Sequence, residues 1–206
     1  MNDAVGKAAS QRNFDDAAVS WDEEPRRVRL AAEVADTVKR EVAPDRTMDA
    51  LDFGCGTGLV TLELQPLVRS IMGADTSAGM LKKLRDKVAA RGLDNVETIL
   101  IGTDSDILPS GRFNLLVSSM TLHHVEDVGS LLQEFYRILV PGGTVAVADL
   151  DAEDGSFHRH DISAAHYGFD RGRMRVMLEE AGFHDVRDAT AATVEKKDAL
   201  GAVRAY

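Results

Sequence analysis

One cysteine in 206 residues excludes an internal disulfide, and with it the stapled scaffolds of small secreted domains. No apolar run is long enough to cross a bilayer, and the opening "MNDAVGKAASQRNF" lacks the apolar centre of a secretory leader. A reducing, cytoplasmic setting is therefore expected. Positive charge is also scarce. Against 34 Asp and Glu there are 24 Lys and Arg, for a formal net charge of -10, which opposes long-range attraction to nucleic-acid phosphates or anionic lipid. Neither nucleic acid nor a membrane is an expected partner. There is no internal repeat, low-complexity tract or second-domain linker, and the length suits one domain with N-terminal additions, as a monomer or homodimer.

What is present is an alternation of short apolar runs with amphipathic stretches. Val28, Ala31, Ala32, Ala35, Val38 and Val42 recur at helical spacing behind Pro25, which predicts a helix from Arg26 to Val42. Ahead of it, "FDDAAVSWDEEP" shows no period and suits a segment that docks against the body. "DALDFG", "SIMGAD", "VETILIG", "FNLLVSS" and "GTVAVADL" read as strands. A helix capped by Ser77 carries Met80, Leu81, Leu84 and Val88 and stops at Arg91-Gly92; another carries Val128, Leu131, Leu132, Phe135, Ile138 and Leu139. Pro141-Gly142-Gly143 predicts the turn before the fifth strand. Nearly continuous apolar strands alternating with helices predict an α/β fold whose parallel sheet is covered on both faces. Beyond an irregular polar stretch, 151–168, a helix is expected over about 170–181, and the last 22 residues read as a hairpin added to the sheet.

The turn "LDFGCGTG" holds Gly54, Gly56 and Gly58 between the first strand and its helix. Glycine there permits positive φ and lets a ligand approach the backbone, and in open α/β sheets ligands bind beyond the carboxyl ends of the strands. A dinucleotide fingerprint would need glycine at position 59, where the chain has Leu59. Asp75 ends the second strand, where an acid can accept both hydroxyls of a ribose in either of two cofactor classes. With Asp52 before the turn and Asp104 after the third strand, carboxylates stand at successive strand ends. They make a poor pocket for pyrophosphate and a good one for a ligand bearing cationic groups and sugar hydroxyls.

In order and spacing, "LDFGCGTGLVT", "GADTSAGML", "TDSDILP", "FNLLVSSMTLHHVED" and "LLQEFYRILVPGGTVAVADL" resemble the motif series of the Rossmann-like S-adenosylmethionine-dependent methyltransferases, over roughly residues 48–150. The resemblance implies a doubly wound, seven-stranded, mostly parallel sheet with an antiparallel last strand. It divides the chain into an N-terminal lid and helix (1–45), a cofactor-binding core (46–150) and an acceptor-side insert, helix and hairpin (151–206). It also implies that Gly54, Gly56 and Gly58 line the methionine part of S-adenosylmethionine, with Asp52 near its ammonium group. Asp75, beside Thr76, would hold the ribose. Asp104 would take the adenine amino group, with Ser105 and Met80 bordering the ring, and Ser118 and Met120 would close the methionine side. Asn114 departs from the family's frequent Asp at a structural position. The start, "FD..A..WD..P.R", resembles a subset of members in which an N-terminal helix lids the site, which makes Phe14 and Trp21 candidates to cover cofactor or acceptor, or simply to pack the helix.

His123, His124, His158, His160 and His166 fall after the fourth or fifth strand, over the sheet's carboxyl edge. His123, His124 and His166 are candidate bases or acceptor contacts, and His158 and His160 candidate pocket residues; no metal is expected, because such adjacent spacing is a weak ligand signal. Cys55 reads as a small residue in a tight turn rather than a catalytic thiol. Methyl transfer from a sulfonium expels a neutral leaving group, S-adenosylhomocysteine, so positioning and water exclusion come first and a base is optional. The expected function is methyl transfer to a small-molecule acceptor. Two rivals stay open: a NAD-dependent oxidoreductase, opposed by Leu59 and the carboxylates, and a catalytically inactive S-adenosylmethionine-binding sensor.

Overall fold

A computed structural model describes residues 14–102, 108, 110–152, 164–197 and 203–205. Five strands form one parallel sheet: β1 (Asp49–Phe53), β2 (Ser70–Asp75), β3 (Val96–Leu100), β4 (Phe113–Ser119) and β5 (Leu139–Ala148), in the order β3-β2-β1-β4-β5. The chain winds outward from β1 through β2 to β3, then crosses back to β4 and on to β5. The reversal opens a crevice at the carboxyl ends of β1 and β4, where such sheets bind ligands.

Alternation along each strand sends side chains to opposite faces. Ala50, Ile71, Leu115 and Val117 pack beneath α1 (Pro25–Val42) and α2 (Leu59–Leu64). Leu51, Met72 and Leu116 pack with Phe135, Ile138 and Leu178 from α4 (Val128–Ile138) and α5 (Arg171–Glu180). Helix α3 (Ala78–Arg91) joins Leu81 and Leu84 to Cys55.

Local chemistry sets the helix ends. Pro25 starts α1, and Ala43 ends it at φ 51°. The Ser77 hydroxyl accepts from the Met80 N–H at 3.1 Å, and Gly92 closes α3 in the left-handed region. Asp127 and Asp170 cap α4 and α5 through the N–H groups of Ser130 and Arg173. In α1 the buried stripe is Ala31, Val34, Ala35 and Val38, whereas Val28, expected inside, is 39% exposed. The stripe is rotated by part of a turn from the expected one.

One expectation is corrected. The fifth strand begins at Leu139, not Gly143, because Pro141-Gly142-Gly143 is accommodated as an irregularity in the ladder: the register jumps from Phe113↔Leu139 to Leu115↔Thr144, with Gly142 at φ 79°. Among the described residues the main sheet has five parallel strands. The terminal hairpin exists, as antiparallel β6 (Glu195–Lys197) and β7 (Val203–Ala205), but it forms its own two-stranded sheet.

A Cβ at Gly58 would lie 2.3 Å from the Leu84 side chain at φ 82°, whereas at Gly142 (φ 79°) nothing lies within 4 Å. Gly142→Ala should therefore cost only the left-handed strain, about 1–2 kcal/mol. Gly58→Ala should add the repacking of Leu84, roughly 1–3 kcal/mol more. Urea denaturation of both variants checks this, and equal losses would contradict the packing argument.

Candidate functional site

The glycine turn is held by the end of β2. The N–H groups of Gly54 and Cys55 both donate to the Ala74 carbonyl, at 2.8 and 3.1 Å. The Asp75 carboxylate accepts from the Gly56 N–H at 2.7 Å and the Ser77 N–H at 2.8 Å. All three glycines have positive φ, but for different reasons. A Cβ at Gly54 would fall 2.1 Å from the Thr121 hydroxyl, and one at Gly58 would strike Leu84. Only beside Gly56 is the space open, with the Met80 sulfur the nearest atom at 4.0 Å. Bare backbone next to a strand-end carboxylate is therefore confined to Gly56 and Asp75.

Burial dominates the electrostatics. Asp52 is 1% exposed, on the α1–α2 face of β1, and accepts from the Thr61 hydroxyl at 2.6 Å. Burial pushes its pKa from the ordinary 3.8 up to about 7; the Thr61 hydrogen bond opposes this and the Asp75 charge adds to it. Burial also raises Asp75, against its backbone hydrogen bonds, with the nearby Asp15 charge contributing. Cys55 is pushed well up by burial and the same two strand carboxylates, the opposite of an activated thiol.

Residues 14–23 strap over this turn. The Asp15 carboxylate accepts from the Ser77 hydroxyl at 2.5 Å and the Gly79 N–H at 2.7 Å, at the start of α3. Asp22 accepts from the Thr57 hydroxyl at 2.5 Å and pairs with Lys87 at 2.5 Å. Phe14 meets the Trp21 ring edge-on at 6.0 Å and the His124 ring at 5.3 Å, while the Arg27 guanidinium lies 3.8 Å from the Trp21 ring centre. Gly79 leaves room for the strap, since a Cβ there would fall 2.9 Å from the Asp15 backbone.

At the carboxyl ends of β4 and β5, His123 and Asp149 form a pair at 2.7 Å, with side chains each 4% exposed. The rings of His123 and His124 are 4.0 Å apart. The stretch after 163 returns to the same place. The N–H groups of Ala165 and His166 donate to the His123 carbonyl, and the His166 Nε2 bonds the Val125 carbonyl at 2.9 Å. A parallel bridge between Asp151 and Phe169 closes the base of this excursion.

The structure thus brings Gly56, Asp75, Met80, Phe14, Trp21, His123, His124 and His166 to one end of the sheet. Ser118 is fully buried and its hydroxyl donates to the Phe53 carbonyl at 3.0 Å, binding β4 to β1. Met120 takes φ 54° and donates to the Ala148 carbonyl; Thr76 is exposed. Asp104, Ser105, His158 and His160 lie outside the described residues. Asp15, Asp22, Thr61 and Asp149 were missed. Asp149 had a usable signal, an acid ending an apolar strand, whereas Asp15 and Asp22 sit in a stretch with no period.

A cavity of about 1170 Å³ lies elsewhere, between the free edge of β5, α1 and α5, with Val34, Val145, Phe169, Leu178 and Val194 among its walls. It touches the site only through Met120 and Asp149 at its rim, and none of the three turn glycines lines it. β6 begins directly after Val194, so the cavity marks the unpaired flank of the sheet rather than the crevice. Among the described residues, no group of three or more His, Cys, Asp or Glu could hold a metal ion, and no helix is long and apolar enough to cross a membrane.

Residues 51–147 match the family model described as a methyltransferase domain. Biotin biosynthesis bifunctional protein BioHC of Saccharophagus degradans is 32% identical over 70% of this chain and 25% of its own length. Malonyl-[acyl-carrier protein] O-methyltransferase of Pseudescherichia vulneris is 28% identical over 71% of this chain and 55% of its own. The chain spans about half the length of several curated relatives it matches. A Haloferax volcanii methyltransferase solved with its Trm112 activator superposes with a TM-score of 0.70 at 21% identity, covering 90% of this chain and 80% of that one, a likeness of fold.

A carboxyl whose pKa is raised in the folded state favours folding most when protonated, so its contribution is full below the unfolded pKa and is lost as pH rises through the folded one. Asp52 should thus withdraw on the order of 4 kcal/mol of stability between about pH 4 and pH 7. Asp52→Asn keeps an oxygen for the Thr61 hydroxyl and removes the titration. Denaturation of both proteins across that window should show the wild type losing stability relative to the variant as pH rises, and parallel profiles would contradict the assignment.

Proposed function

We propose that the chain is a Rossmann-like, S-adenosylmethionine-dependent methyltransferase that transfers a methyl group to a small-molecule acceptor, a reading supported by the match of residues 51–147 to the methyltransferase domain. The observation that carries the reading is the open backbone at Gly56 beside the Asp75 carboxylate, at the carboxyl end of the sheet under the 14–23 strap. A Cβ at that one glycine would intrude on the ligand's space while meeting nothing of the protein closer than Met80. Asp75 keeps acceptor capacity for ribose hydroxyls beyond its two backbone bonds, with Thr76 alongside, and Met80 borders the adenosine. In the same reading Asp104 and Ser105 serve the adenine, Gly54, Gly58 and Ser118 shape the methionine end by packing, and Asp52 acts on it from below with a carboxyl pushed up to about 7.

When bound, S-adenosylmethionine supplies an electrophilic methyl carbon whose departure leaves a neutral thioether. The protein's share is then to align the acceptor, hold the strap closed and exclude water. Phe14, Trp21, His158 and His160 are proposed to form the acceptor side. The division into lid and helix (1–45), core (46–150) and acceptor-side remainder (151–206) follows the same reading, as does a seven-stranded sheet in which β6 and β7 complete the free edge of β5. A relative named Malonyl-[acyl-carrier protein] O-methyltransferase supports methyl transfer to an oxygen of an organic group. The net charge of -10 favours a small-molecule acceptor over nucleic acid or an anionic membrane, and a cytoplasmic monomer or homodimer belongs to the same reading.

Calorimetric titration with S-adenosylhomocysteine, with NAD as control, tests the proposal. Selective binding of the former is expected, with affinity falling at least about tenfold in Asp75→Ala, the cost of roughly one charge-assisted hydrogen bond. Asp75→Asn, which retains an oxygen for the Gly56 N–H, separates loss of ribose contact from collapse of the turn. Preference for NAD would overturn the reading, and unchanged affinity in both variants would remove Asp75 from the site.

A further inference from the structure

The His123–Asp149 pair is built more fully than fastening a loop requires. The Asp149 carboxylate already accepts backbone N–H groups from His123 at 3.3 Å and Leu150 at 2.8 Å, which alone would tie the β4 loop to the end of β5. The imidazole adds a third bond, Nδ1 to Oδ1 at 2.7 Å. A carboxylate accepts, so Nδ1 carries the proton, and Nε2 is the ring's basic atom whenever the imidazole is neutral. The same arrangement of carboxylate, imidazole and basic Nε2 orients a general base and stabilises the imidazolium it becomes.

Three segments that would surround an acceptor meet at this ring. The His124 ring lies against it at a tilt of 46° and meets Phe14 of the strap edge-on, while the N–H groups of Ala165 and His166 of the returning stretch donate to the His123 carbonyl. His123 is 3% exposed, so an acceptor reaches it only as the strap or that stretch gives way. Its titratable neighbours among the described residues include Asp149, His124 and His166, and Asp149 binds the ring through Nδ1.

Resting on the methyl-transfer reading above, we infer that His123 is the general base and Asp149 its positioning residue, and that the acceptor is a hydroxyl compound, an alcohol or a phenol. The hydroxyl oxygen forms its bond to the methyl carbon as the carbon–sulfur bond breaks. That electron pair stays on sulfur, and the hydroxyl proton passes to His123 Nε2 and later to water. Carboxylate acceptors are already ionised near neutral pH and would leave such a pair idle.

Nitrogen-15 NMR of the imidazoles in the full-length protein, with S-adenosylhomocysteine present, reads the pair without turnover. The expected result is an Nδ1–H tautomer at His123 that is lost or mixed in Asp149→Asn. Transfer of labelled methyl groups to a panel of phenols, alcohols, carboxylic acids and amines reads the acceptor. Hydroxyl compounds should be methylated, with kcat falling about 10²-fold or more in His123→Gln and Asp149→Asn while the KM for S-adenosylmethionine changes little. The acid limb of the pH profile should vanish in His123→Gln and persist in His124→Gln and His166→Gln. An Nε2–H tautomer in the wild type, a tautomer that Asp149→Asn leaves unchanged, or methylation confined to carboxylates or amines would overturn the inference. If no panel member reacts, the tautomer result decides. Failure to bind S-adenosylhomocysteine would instead overturn the methyltransferase reading itself.

Discussion

Much of this end of the molecule depends on where the Asp75 carboxylate points. One oxygen takes the Gly56 N–H and fixes the glycine turn; the other takes the Ser77 N–H and sets the first turn of α3. Ser77 in turn caps that helix with its hydroxyl while donating to Asp15, so the strap is joined to the strand end through one intervening serine. A strand, a turn, a helix and the strap thus share a short run of hydrogen bonds. Displacing any member alters what the others can reach, which is how small shifts in a packed site become discrete changes of state.

The same crowding defines the ligand. Asp15, Asp52 and Asp75 converge without a basic side chain hydrogen-bonded to any of them among the described residues. Burial pushes the Asp52 carboxyl up to about 7, which eases its share of the repulsion, and backbone donors ease that of Asp75. A guest bearing positive charge and hydroxyl donors relieves the remainder, whereas a pyrophosphate would add to it. Lys87, whose ammonium reaches the turn, is spent on Asp22 and the Thr57 carbonyl and so serves the strap rather than an anion.

The alternation of elements was legible because each is fixed by its own neighbours in sequence: caps at Ser77 and Asp127, a stop at Gly92, continuous burial in β1 and β2. The site was legible as far as single residues announce themselves, as with acids ending apolar strands and glycines clustered in a turn. What stayed hidden depends on partners far along the chain. Nothing near Gly54 or Gly58 says that Thr121 and Leu84 fill the space above them, so three equivalent-looking glycines proved to be two packing positions and one open one. Asp15 and Asp22 gain meaning only from Ser77, Gly79, Thr57 and Lys87. Val34 displaced Val28 from the core because periodicity gives the width of an apolar stripe better than its edge.

The excursion after β5 leaves and rejoins the sheet at one place, with Asp151 bridged to Phe169, the Ala152 N–H donating to the Phe169 carbonyl and the Phe169 N–H to that of Leu150. Gly168 permits this closure at φ 79°, since a Cβ there would fall 2.2 Å from the Asp151 carbonyl oxygen. A loop anchored at its stem imposes little on the sheet that carries it, and the entropic cost of lengthening it grows only logarithmically. The stem thus divides the labour of folding: β1 to β5 carry the glycine turn and its carboxylates, and a change of length beyond Asp151 is absorbed at the bridge without disturbing them.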